Sequence, residues 1–235
     1  MIEIKGLYKK FGKVEVLKDL DLSISGGGIF TVLGPNGSGK TTLIKCLLGM
    51  VIPNSGEIQI NGNDIIREFE YRNQIAYLPQ IATFPSNLSV SELITMIQDL
   101  RTSENRTNEL VCLFGLEEYM NQKLGNLSGG TRQKVNLVLS FMFDSPLIIL
   151  DEPTSGLDPV SLIHLKELIQ KEKDAGKTIL ITSHIMSFVD QVADQVVFLL
   201  DGKIRFQGEL DALKRQTGET ELEKAIANLL SAAHV

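Results

Sequence analysis

Residues 34 to 41 read Gly-Pro-Asn-Gly-Ser-Gly-Lys-Thr, and this octapeptide fills every fixed position of G-x-x-x-x-G-K-[ST]. Its flanks constrain the fold as much as its letters. An apolar run (Ile29, Phe30, Val32, Leu33) precedes it and a helical pattern (Leu43, Ile44, Leu47, Leu48) follows, so the chain here is a strand, a glycine-rich loop and a helix. Gly34, Gly37 and Gly39 let the loop turn tightly enough for its N–H groups to point inward at one anion, and the helix presents its positive dipole end to the same place. Pro35, Asn36 and Ser38 complete the cradle. Lys40 can reach the outer phosphates of a nucleotide, and the Thr41 hydroxyl, with Thr42 beside it, can take one coordination position on Mg2+. A glycine-rich turn with no ligand would need none of this agreement.

The 235 residues suffice for one large domain, or a domain with a subdomain. Lys+Arg 23 against Asp+Glu 29 leaves the chain mildly acidic, so nothing in its charge points to nucleic acid as a partner. No apolar stretch approaches the length of a membrane-spanning helix. The longest candidate, Val196 to Leu200, lies between Asp194 and Asp201 and reads as a buried strand. The opening Met1-Ile2-Glu3-Ile4 is already strand-like and lacks the layout of a signal peptide. Cys46 and Cys112 are both expected to be small buried residues in a reducing compartment rather than a disulfide. A cytoplasmic chain is the expectation.

Hydrophobic periodicity divides the rest. Ile2, Ile4, Val14, Val16, Leu20, Leu22 and Ile24 alternate around a turn at Phe11-Gly12-Lys13, which predicts antiparallel strands. Glu57 to Ile60 reads as a strand before an Asn61-Gly62 turn, and Ile75 to Leu78 as another ending at Pro79-Gln80. Ser89-Val90-Ser91-Glu92 is a capping box ahead of Leu93, Ile94, Ile97 and Leu100. Further helices are predicted near Glu109 to Phe114 and after Ser128, where Val135, Val138, Leu139 and Met142 recur at helical spacing. Leu147 to Leu150 suits a buried parallel strand, and Asp158-Pro159 caps a helix that runs to about Asp174. Thr178 to Thr182 and Val196 to Leu200 read as strands, the latter turning through Asp201-Gly202. The fold class is therefore α/β: a P-loop core with an antiparallel β subdomain and an inserted α-helical subdomain. Core and β subdomain take about 1–82 and 145–208, the helical subdomain about 83–144, and a helical tail 209–235.

Two segments outside the loop carry chemistry. Asp151 and Glu152 stand at the end of a hydrophobic strand; beside a phosphate loop, Asp151 can help hold Mg2+ and Glu152 can orient or deprotonate an attacking water. Alone, Asp151 could equally be a strand-end cap. Leu127-Ser128-Gly129-Gly130-Thr131-Arg132-Gln133 opens an amphipathic helix with two glycines and a hydroxyl. By itself this reads as an ordinary N-capped helix, and beside the phosphate loop as a second anion-binding helix end that one chain holding one ATP does not need.

With Gly34–Thr41, Gln80, Leu127–Gln133, Leu147–Asp158 and His184 in this order, the chain resembles the ATP-binding-cassette ATPases over essentially its whole length. The resemblance implies that Phe11 stacks on adenine, although a turn-flanking hydrophobe would look the same. It implies that Gln80 senses Mg2+ and water, that His184 contacts the γ-phosphate, and that Ser155–Asp158 crosses a dimer seam. Two copies would then face each other head to tail, each ATP lying between one chain's phosphate loop and the other's Ser128, Gly129 and Gly130. The implied partner is a separate integral-membrane permease, met through Ile81 to Leu93, with this chain peripheral on the cytoplasmic face. A soluble cassette ATPase of iron–sulfur cluster assembly is the alternative. Arg72 to Arg101, the Leu-Ser-Gly-Gly-Thr-Arg-Gln-Lys signature and Ser183 to Ser187 resemble bacterial export-type cassettes. They are similar in particular to the ATPase subunit of the copper-related transporter that serves nitrous-oxide reductase maturation.

Overall fold

The computed structural model describes residues 1–101 and 104–232. Strands β1 (Ile2–Phe11) and β2 (Val14–Ile24) form a hairpin around Gly12, with Ile2 opposite Ile24 and Ile4 opposite Leu22. β3 (Gly28–Leu33) runs into the phosphate loop and α1 (Lys40–Leu47). β4 (Ser55–Ile60) turns through Asn61-Gly62 onto the two-residue β5 (Asn63–Asp64), and β6 (Ile75–Leu78) follows. Helices α2 (Val90–Gln98), α3 (Thr107–Leu113) and α4 (Gly129–Phe141) come next. Alternation then resumes with β7 (Leu147–Asp151), α5 (Pro159–Asp174), β8 (Thr178–Thr182), α6 (Met186–Val192) and β9 (Gln195–Leu200). β10 (Lys203–Glu209), α7 (Leu210–Thr217) and α8 (Leu222–Ala232) complete the described chain.

The strands sort into two sheets. One is antiparallel, in the order β2-β1-β4-β5; the other runs β10-β9-β3-β8-β7-β6, parallel throughout except for the β10 edge. Side chains alternate across the parallel sheet, so each face builds its own core. Phe30, Val32, Ile149, Leu180 and Leu199 pack against the antiparallel sheet and α1 (Ile4, Leu22, Leu43, Ile44). Ile29, Leu33, Ile148, Leu150, Ile179 and Ile181 face α4, α5, α6 and the helices beyond.

Among the described residues the helical segment has no core of its own. Leu93, Ile94, Leu110, Phe114, Val135 and Val138 belong to the same buried cluster as Ile148 and Ile181. Ser89 accepts from the Glu92 N–H while Glu92 accepts from the Ser89 N–H, closing the capping box that starts α2. Cys112 departs from expectation: it is exposed, whereas Cys46 is buried. On α3 the buried face is Thr107, Leu110 and Val111, and Cys112 lies one step further round, on the solvent side. The tail, whose residues 233–235 lie outside the described chain, docks instead of trailing. Leu213, Leu222, Ala225 and Ile226 are buried with Phe188 and Val189 of α6, and Lys214 pairs with Asp190.

Candidate nucleotide site

The carboxyl ends of β3, β6 and β7 converge on a cleft of about 350 Å³ lined by Asn36, Gly37, Gly39, Lys40, Thr41, Thr42, Gln80, Asp151 and Glu152, with Val14 and Val16 on one wall. In open α/β sheets this is where ligands bind. The loop is shaped to leave donors free. α1 starts at Gly39, φ +111°, with no side-chain cap and no acidic residue in its first turn, so its leading N–H groups and dipole are not neutralised by the protein. Gly34 passes so close to β9 that a methyl group there would lie 2.1 Å from the Leu199 carbonyl oxygen. The Ser38 hydroxyl is buried without a hydrogen-bond partner among the described residues. Lys40 folds over the loop, donating from Nζ to the carbonyls of Gly34 (2.6 Å) and Pro35 (3.1 Å). Burial holds its ammonium below the ordinary lysine range, an effect that Glu152 and Asp151 oppose.

Opposite the loop, Asp151 and Glu152 are both buried. Asp151 accepts a hydrogen bond from the Thr182 hydroxyl. The chain then reverses at Glu152, which sits at φ +52°, a left-handed conformation that costs a side-chain-bearing residue about 1–2 kcal/mol. Its N–H donates to both the carbonyl and the hydroxyl of Thr182, each at 3.1 Å. The reversal carries the Glu152 carboxylate to His184, Nδ1 to Oε2 2.8 Å. Against an ionised carboxylate Nδ1 must carry the proton, which fixes the tautomer. His184 itself is mostly exposed, with 66% of its side-chain surface free.

The remaining residues singled out in the sequence lie apart. Ser128, Gly129 and Gly130 do not line the cleft. Ser128 caps α4, accepting from the Thr131 N–H at 3.1 Å, and Gly130 is pressed against the Gly156 carbonyl of the Ser155–Asp158 loop. Asp158 caps α5 through the Ser161 N–H and pairs with Lys134 of α4. Phe11, half-exposed at the hairpin tip, pairs with Val14 on the cleft wall, and Lys9 Nζ lies 4.8 Å from its ring centre.

α4 also grips the cleft from behind with buried polar side chains at helical spacing. Gln133 donates to the Pro153 carbonyl just after Glu152 (3.1 Å). Asn136 donates to the Pro79 carbonyl just before Gln80 (3.1 Å), and Ser140 to the Tyr77 carbonyl (3.0 Å). β6 is a sheet edge, so its outward carbonyls lack a ladder partner, and two residues of strand span about the same length as four of helix. Sequence reading missed Asn136, Ser140, Val14, Val16 and Thr182. The available signal was the presence of Asn and Ser on the apolar stripe of α4, where a polar group must find a buried partner.

Backbone donors converging at an unneutralised helix end, with a lysine above and acid-side oxygens below, select a chain of phosphates over any neutral ligand. The domain is in this sense a P-loop nucleotide-binding domain. Comparison with known proteins narrows the class. The family model described as ABC transporter matches residues 17–155. A lantibiotic transport ATP-binding protein of Streptococcus pyogenes is 33% identical over 97% of this chain and 96% of its own length. A daunorubicin resistance ATP-binding protein of Streptomyces coeruleorubidus is 31% identical over 94% of this chain and 72% of its own. Among solved structures, the ATP-binding subunit of an ABC transporter superposes with a TM-score of 0.90 at 30% identity, covering 98% of this chain and 99% of that one. A dimeric ATP-binding cassette in a post-hydrolysis state with ADP and phosphate shares the fold at 24% identity and a TM-score of 0.77, over 89% of this chain and 99% of that one. The chain belongs to the ABC transporter family and is its ATP-binding, ATP-hydrolysing subunit.

Proposed function

We propose that this subunit works as one half of a head-to-tail pair that drives a separate membrane permease of export type. One observation carries the pairing: the Ser128–Gly130 helix end, capped and glycine-rich, stands outside the cleft of its own chain and is joined through Gly156 to the loop that leads to Asp158. A second copy brings that helix end to the phosphates, completing each site from both sides under C2 symmetry.

Within each cleft the α1 N-terminus, Ser38 and Lys40 hold the phosphates, Val14 and Val16 flank the base, and Phe11, outside the cleft at the hairpin tip opposite Val14, can swing over it. Thr41, Gln80 and Asp151 present hard oxygen donors on one cleft, the set that suits Mg2+. These residues would hold Mg2+, which would supply positive charge to offset the negative charge developing on the phosphates. His184 engages Oε2 of Glu152; among the described residues nothing engages Oε1, so Oε1 is the position that accepts the proton of the attacking water. Turnover breaks the contacts that hold the pair closed, a ligand-driven population shift.

No helix among the described residues is long and apolar enough to cross a membrane; in this reading a separate permease supplies the transport path. Ile81, 79% exposed immediately after Gln80, begins the segment offered to the permease from the cytoplasmic face. The lantibiotic and daunorubicin relatives support export. The resemblance to copper-related cassettes rests on loop sequence, and no residue of the cleft would touch the cargo.

The test is affinity purification of Glu152→Gln from native membranes in mild detergent with Mg-ATP. A stoichiometric multi-span membrane protein is the expected companion; a soluble partner alone would overturn the permease reading in favour of an assembly factor. Ser128→Arg is expected to leave ATP binding by the single chain intact while abolishing ATP-dependent dimers in light scattering. Loss of binding by the monomer would count against a shared site.

A further inference from the structure

Thr182 is the last residue of β8 and is wholly buried, and it carries its hydroxyl just after the apolar Ile179, Leu180 and Ile181. The parallel ladder sets it in register with Asp151 of β7, so the two side chains lie beside each other on the face turned toward α1. Its single hydroxyl proton goes to Asp151 Oδ1. The Thr182 hydroxyl oxygen in turn accepts the Glu152 N–H, and the Thr182 carbonyl accepts that N–H as well. An N–H, an O–H and a carboxylate thus form one polarised chain. The Glu152 turn is held on β8 by two acceptors of Thr182, its carbonyl and its hydroxyl, and the hydroxyl alone ties that turn to the Asp151 carboxylate.

We infer that Thr182 is a positioning residue for ATP hydrolysis: its hydroxyl sets the Asp151 carboxylate and shares with its own carbonyl the N–H of the Glu152 turn. The inference rests on the reading of Asp151 as a metal ligand and Glu152 as the base. Threonine is suited to the place: its β-branch packs as valine would in the strand interior, so the hydroxyl is the only group added to an apolar strand end. Serine keeps the hydroxyl and gives up only the methyl.

Thr182→Val, Thr182→Ser, Asp151→Asn and Glu152→Gln are purified side by side with wild type. Thr182→Val is expected to lower kcat about 10–100-fold, as for loss of a group that orients the reacting residues, while KM for ATP moves less than about threefold. Binding of Mn2+ to the complex with a non-hydrolysable ATP analogue, followed by electron paramagnetic resonance, is expected to weaken severalfold. Thr182→Ser is expected to restore both. A merely structural threonine would lower thermal stability in both variants and leave the kcat-to-KM split and the Mn2+ signal where they were. Should Thr182→Val not fold, Thr182→Ala, which removes the hydroxyl without adding bulk, is read by the same two signals. Wild-type kcat and Mn2+ binding in Thr182→Val, beside an inactive Glu152→Gln, would overturn the role of Thr182 alone. A Glu152→Gln variant as active as wild type would overturn the underlying assignment, and the inference with it.

Discussion

Two glycines of the phosphate loop look alike in the sequence and differ sharply in space. A methyl group on Gly34, at φ +155°, would meet the Leu199 carbonyl oxygen at 2.1 Å and Ser38 Oγ at 2.6 Å; on Gly37, at φ +81°, it would meet nothing within 4 Å. Either alanine carries the backbone cost of a conformation that favours glycine, about 1–3 kcal/mol. Only Gly34→Ala must also displace backbone, and that backbone belongs to β9, an interior strand held on both sides by β3 and β10. Overpacking of this kind adds about 1–3 kcal/mol. At about 2–4 °C per kcal/mol for a chain of this size, Gly34→Ala is expected to melt roughly 2–12 °C below Gly37→Ala. The assay is urea and thermal unfolding of the nucleotide-free proteins followed by far-ultraviolet circular dichroism. Gly37 lines the cleft, so Gly37→Ala is expected to weaken ATP binding more than its modest loss of stability would indicate. Equal stability of the two variants, or a more stable Gly34→Ala, would refute the reasoning that loop and β9 are packed backbone to backbone.

Lys40→Met removes an ammonium that burial already disfavours, so the nucleotide-free protein is expected to hold its melting temperature. ATP affinity by calorimetry should fall about 10–100-fold, as for loss of a charged hydrogen bond. Asn136→Ala leaves the Pro79 carbonyl without its donor, a cost of about 1–3 kcal/mol offset by about 0.5 from helix propensity. Urea unfolding should show a net loss, and a variant as stable as wild type would mean the bond contributes nothing. Lys134 and the Ser161 contacts hold the Asp158 carboxyl below the usual carboxylate range. That stabilisation is complete above the unfolded pKa, about 4, and is lost as pH falls through the lower native value. Asp158→Asn keeps a cap but loses the exposed pair, so its deficit should be under about 1 kcal/mol at pH 7 and shrink at pH 3. A deficit equal at both pH values would remove Lys134 from the account.

Much of the site was legible because its parts are local. The phosphate loop is eight consecutive residues between a strand and a helix, and glycine geometry with the uncapped α1 follows from those letters. The capping box at Ser89, the Asp158-Pro159 start of α5, and the placing of Asp151 and Glu152 at a strand end likewise depend only on neighbours within a turn or two. Each is decided by backbone sterics, capping and short apolar periodicity, which act over a few residues.

Sheet order and helix packing decided the rest. Thr182 meets Asp151 because β8 lies beside β7 in that register, and Asn136 meets Pro79 because β6 is the edge that α4 covers. Cys112 is exposed because the face of α3 that packs inward carries Thr107, Leu110 and Val111 instead. The helices between β6 and β7 read as a separate block along the chain, yet they complete the core of the parallel sheet. Such contacts join residues far apart in the chain, and no local propensity encodes which strand will be whose neighbour. The amino-acid sequence by itself determined the strand, glycine-rich loop and helix of the candidate nucleotide site, and which carboxylates stand at the strand end. The tertiary structure alone decided what holds those carboxylates in place, since a buried hydroxyl finds its partner only when two distant strands are set side by side.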